Sequence, residues 1–126
     1  MLIELDVNLD ELGISQSIVN GVNANATRPE FVSSLMETTS QFARQEYNVM
    51  VFNLGHDHDW DFNYVVFFAT TFYTDLDPSI GKVTYGIWAF KSGEFINLGD
   101  GGNINLACTD SWESKYEGHM RFFPPV

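Results

Sequence analysis

Between Tyr47 and Lys91 the chain alternates large apolar residues with small or polar ones, in runs joined by very short connections. The runs are Tyr47–Asn53, Phe62–Tyr73 and Lys82–Lys91, rich in the β-branched and aromatic residues that suit a pleated surface. Asp75–Ser79 and Ser92-Gly93 supply turn chemistry, and Glu94–Asn97, Asn103–Ala107 and Tyr116–Phe123 are further strand candidates before Pro124-Pro125 ends the last. A parallel pair needs a crossover of roughly a dozen residues, so these connections predict antiparallel pairing. Ahead of the strands, Thr27 can cap a helix, Pro29 falls where a missing N–H costs nothing and Glu30 can return the capping bond. Phe31, Leu35 and Phe42, with Val32, Met36 and Ala43 beside them, then mark one side of a helix running to about Glu46. The expected fold is α+β: one amphipathic helix (about 28–46) packed on a mainly antiparallel β-sheet or small β-sandwich. Residues 1–126 read as a single domain, with Leu2–Val7 as an edge strand and Asn8–Asn25 as an irregular connection.

Six Lys and Arg stand against seventeen Asp and Glu, a formal charge of -11, and the six are scattered. No basic stripe follows a phosphate backbone, which argues against nucleic acid, and an anionic membrane would repel the chain. Cations, neutral sugars or a basic protein partner suit such a surface better. Cys108 is the single cysteine, so no disulfide can form within the chain. The acidic start lacks the pattern of a secretory signal, which makes a cytoplasmic location the expectation; the sequon at Asn25 is of a kind common by chance. The longest apolar run, Val65–Ala69, is far short of the roughly 20 residues of a spanning helix.

The densest chemistry is His56-Asp57-His58-Asp59-Trp60-Asp61. If this segment is extended, His56, His58 and Trp60 share one face and the three aspartates the other. His56 and His58 with His119 could hold zinc for a hydrolase-type reaction, while Asp57, Asp59 and Asp61 offer the oxygen ligands calcium prefers. The same residues also compose a polar turn after Gly55, or a pH-sensitive pair of imidazoles beside carboxylates.

A second feature is Asn97–Asn105, where glycines allow close backbone approach and Asp100, Asn103 and Asn105 offer planar donors and acceptors for hydroxyl groups. It is equally a hairpin connection. Trp60 and Trp112 sit among polar residues and could stack on a sugar ring, whereas Trp88 belongs to an apolar strand. Gly81-Lys82 lacks both the following Ser or Thr and the earlier Gly of a phosphate-binding loop. No serine-nucleophile elbow appears, and Cys108 with His119 and Asp110 follows no known pattern. Three readings follow: a non-enzymatic protein binding a neutral small molecule or glycan through Trp60, Asp100, Asn103, Asn105 and Trp112; a zinc hydrolase on His56, His58 and His119; and a module that binds another protein or self-assembles through edge strands.

The segment Tyr85-Gly-Ile-Trp-Ala-Phe-Lys-Ser-Gly-Glu-Phe-Ile-Asn-Leu-Gly-Asp-Gly-Gly-Asn-Ile-Asn105 resembles the C-terminal part of small single-domain microbial proteins, often fungal, loosely called stress proteins. Those tend to carry Trp where this chain has Asn103 and Leu106. The resemblance implies a compact, non-membrane protein and carries over no catalytic residue.

Overall fold

A computed structural model describes residues 3–23, 25–99 and 104–125. The element order is β1 (Asp6–Asp10), α1 (Ser15–Gly21), α2 (Arg28–Phe42), β2 (Asn48–Asn53), β3 (His58–Asn63), β4 (Phe67–Thr74), β5 (Lys82–Phe90), β6 (Ser92–Asn97), β7 (Leu106–Cys108), β8 (Trp112–Tyr116) and β9 (His119–Phe122). The strands form two antiparallel sheets, β1-β4-β5-β2-β7 and β3-β6-β9-β8, stacked as a sandwich with the helices on the far side of the first.

Strand alternation builds this three-layer order. On β2 and β5, Val49, Val51, Tyr85, Ile87 and Ala89 meet Phe31, Val32 and Leu35 of α2 and Ile18 of α1. Their neighbours Met50, Phe52, Trp88 and Phe90 point the other way, onto Phe62, Phe95, Met120 and Phe122 of the second sheet. All six residues of β2 are therefore buried. The second sheet covers the core with one face only, as antiparallel sheets commonly do.

The α+β, mainly antiparallel expectation holds, and the sheets form a sandwich; several details differ. There are two helices among the described residues, because Asn8–Asn25 contains the end of β1 and all of α1. Ile14, Ile18 and Val22 recur every fourth residue on the buried side of α1. Asp10 fixes its start: Oδ1 accepts the Ile14 N–H at 2.9 Å and Oδ2 the Ser15 N–H at 3.0 Å. Helix α2 ends at Phe42, and Phe42 is exposed while Thr39 takes the inward place, since Phe31, Leu35 and Thr39 lie directly above one another at four-residue spacing. Thr27 forms no side-chain capping bond.

Phe62–Tyr73 is two strands in different sheets, parted at Tyr64, whose φ of 55° turns the chain. Tyr116–Phe123 is likewise broken by the turn at Glu117-Gly118, and β8 precedes it. Gly93, with φ 128°, lies so close to the Asp61 carbonyl that a Cβ there would overlap it. Only glycine lets β6 start beside β3. Among the described residues, no helix is long and apolar enough to cross a membrane.

Candidate binding face

Register across the second sheet separates its two faces. Trp60, Phe95, Met120 and Ser114 lie directly opposite one another on the core side, as do Phe62, Gly93, Phe122 and Trp112. The alternate positions lie on the outer side of the sheet. One outward row is Asp61, Glu94, Arg121 and Glu113; the next is Asp59, Ile96, His119 and Tyr116. Like carboxylates directly opposite one another, such as Asp61 and Glu94, oppose pairing unless cations lie near.

Lys115 and Arg121 supply that positive charge. An irregularity in the β8–β9 pairing between Ser114 and Tyr116 accommodates Lys115, whose Nζ reaches Glu94 Oε1 at 2.7 Å. The lysine's hydrogen bond is the main reason that the Glu94 carboxyl is held below its ordinary value. His119 approaches the same oxygen, with Nε2 at 3.4 Å. The Arg121 guanidinium lies over the Phe123 ring, 5.5 Å from its centroid. Asp61, Asn63, Ser92, Glu94, Lys115 and Arg121, with the Phe122–Pro124 segment, line an open cavity of about 530 Å³ on this face.

The structure divides the histidines. His58 is on the core side, its ring stacked on Phe95 at 5.8 Å and 19° and its Nδ1 2.9 Å from the His56 carbonyl oxygen. His119 is on the outer side of the same sheet, so the three-histidine zinc arrangement is not assembled. Among the described residues, no three His, Cys, Asp or Glu side chains converge to hold a metal ion. Of the three aspartates offered for calcium, Asp59 Oδ1 accepts the Trp60 N–H at 2.9 Å and Asp61 lines the cavity.

His56 belongs to the turn before β3, against Gly99, where a Cβ would come within 2.6 Å of its ring. The Leu98 N–H donates to the Asp57 carbonyl at 3.0 Å, so the two loops singled out in the sequence do meet. Asp100 and Asn103 lie outside the described residues. Asn105 is buried and structural: its Oδ1 accepts from Asn53 Nδ2 at 3.0 Å and from Arg28 at 3.3 Å. Arg28 Nε also donates to the Tyr85 hydroxyl at 2.8 Å, which in turn donates to the Ile104 carbonyl at 2.6 Å. This network ties the start of α2 to β5 and to the residues before β7.

Trp60 and Trp112 are 43% and 39% exposed, yet they do not form one stacking platform. They occupy opposite edge strands of the four-stranded sheet, about 14 Å apart at about 4.8 Å per strand. Each closes one end of the core, Trp60 against Trp88 at 5.9 Å and Trp112 against Phe122 at 6.4 Å. Cys108 lies on the first sheet, away from the face that bears His119, and burial pushes its thiol up to about 12. A thiolate nucleophile is therefore disfavoured. Glu94, Lys115 and Arg121 were not legible as site residues, because only cross-strand register places them side by side.

Comparison with known proteins adds one relative of substance. Stress response protein YvgO of Bacillus subtilis (strain 168) is 42% identical over 121 residues, which is 96% of this chain and 70% of the relative. The chain belongs to the YvgO family. The likeness to stress proteins seen in Tyr85–Asn105 thus extends over nearly the whole sequence, and the relative is bacterial, not fungal. No protein-family profile matches this YvgO-family chain, and no solved structure matches it.

Proposed function

We propose that this YvgO-family protein serves the stress response by binding, and that the open face of the second sheet holds a neutral polar ligand of the glycan type. One observation carries the reading. The cavity on that face presents carboxylates (Asp61, Glu94), cations (Lys115, Arg121) and neutral hydrogen-bonding groups (Asn63, Ser92) from adjacent strands. Donors and acceptors at strand spacing, about 4.8 Å, match the spread of hydroxyl groups around a sugar ring. Phe123, 40% exposed, adds an apolar surface at one side. The name of the Bacillus subtilis relative supports the stress-response part.

The test is binding to a panel of immobilised neutral oligosaccharides, followed by titration of any positive. Arg121→Ala and Asp61→Ala should each weaken binding about tenfold or more while the melting temperature stays near that of the parent, as loss of a charged hydrogen bond in a partly desolvated site would give. Silence across the panel, or binding indifferent to both substitutions, would overturn the assignment.

A further inference from the structure

His119 is the most anomalous polar group on the outer face. Its side chain is only 7% exposed, and among the described residues neither ring nitrogen has a well-formed hydrogen bond. Buried polar atoms are nearly always satisfied, so an imidazole held this way calls for an explanation. The Tyr116 ring packs edge-to-face with His119, with centroids 4.5 Å apart at 83°. Among the described residues its one charged neighbour within ion-pair range is Glu94, approached at a marginal 3.4 Å, while Lys115 holds the same oxygen at 2.7 Å.

We infer that His119 is a proton-operated competitor for Glu94, so that mild acidification transfers the carboxylate from Lys115 to the imidazolium and reshapes the cavity. The inference rests on the open face being the binding surface. Lys115 is a weak incumbent: both partners of its ion pair are about 40% exposed, and such surface pairs contribute little. Charged groups of both signs surround the ring, and the negative ones outnumber the positive. From β6 comes Glu94 and from β3 come Asp59 and Asp61. From β8 come Glu113, Lys115 and the neutral Tyr116, Glu117 lies in the following turn, and β9 adds Arg121. Five carboxylates thus stand against two fixed cations around the ring. Once protonated, His119 makes a charge-assisted bond to Glu94. Lys115, already displaced from regular pairing, is then released to solvent, and β8 loses its tie across β9 to β6.

The experiment is backbone amide exchange of the ligand-free protein at about pH 7.5 and about pH 5.5, corrected for intrinsic rates, with the His119 ring followed by NMR over the same range. In the parent protein, exchange in Trp112–Tyr116 should rise about two- to fivefold on acidification, the factor that loss of a surface ion pair corresponds to. His119→Gln should abolish the rise. Lys115→Gln should show the faster exchange already at the higher pH, which keeps the test intact if His119→Gln folds poorly. No change in β8 while the ring titrates, or a rise that persists in His119→Gln, overturns the inference; oligosaccharide binding that is equal at the two pH values alongside a static β8 would overturn it while leaving the binding face standing.

Discussion

Single side chains show how unequal their contributions are to this fold. Asp10 closes the start of α1 with both carboxylate oxygens. Partial burial works to raise its pKa, but the N–H groups of Ile14 and Ser15 hold it below the ordinary carboxylate value. A depressed carboxyl contributes stability that is present above its unfolded value, about 3.9, and is lost as pH falls through the folded one. Asp10→Ala should therefore cost about 1 kcal/mol at neutral pH, and the gap from the parent should narrow in melting experiments as pH falls below the unfolded value. Trp88 acts through volume instead. It is 1% exposed and touches Trp60, Phe62, Phe68 and Phe95. Trp88→Ala should lower unfolding free energy by about 3–5 kcal/mol in urea titrations, and Trp60→Ala by clearly less, because its ring is still 43% exposed.

Among the elements, the edge strands decide whether the sandwich stays separate from its copies. β1 and β8 each carry an irregularity in their pairing, β3 bears Asp59 and Asp61, and β7 is three residues long. Bulges, charges and shortness are the devices that discourage edge-to-edge pairing. The prediction is a monomer in light scattering at about 100 µM, a concentration at which an open hydrophobic edge would already associate. A dimer that dissociates on Lys115→Pro would locate the exception at β8. This level was also the most legible in sequence. The strand periodicity and short turns pointed to antiparallel pairing, in one sheet or a small sandwich, and Phe31, Val32 and Leu35 marked the packed face of α2. What stayed hidden needed information from beyond the segment: the sheet change at Tyr64 depends on one positive φ, and α1 on three apolar residues spaced among polar ones.

For the molecule as a whole, the first sheet is an insulated middle layer and the second is a cover with one free side. That division explains why the site was poorly legible. The sequence drew attention to local density at His56–Asp61, but of that segment His56 lies in a turn, His58 packs on the core and Asp61 lines the cavity. The cavity instead collects Asp61, Glu94 and Arg121 from three strands distant in sequence. Substitutions confined to that outer row should leave stability nearly unchanged: Arg121→Ala is expected to shift unfolding free energy by less than about 0.5 kcal/mol, measured by urea titration. The placement of the tryptophans has a separate use. Trp88 is in the inter-sheet cluster, Trp60 and Trp112 pack on its members, and none touches the helix-side cluster. Fluorescence excited selectively at tryptophan therefore witnesses one half of the interior, while far-ultraviolet ellipticity also registers the helices docked on the other half. Superimposable melts at the two wavelengths would mean that the central sheet welds both halves into one cooperative unit, and separated melts would mean that the cover can come off while the helices remain docked.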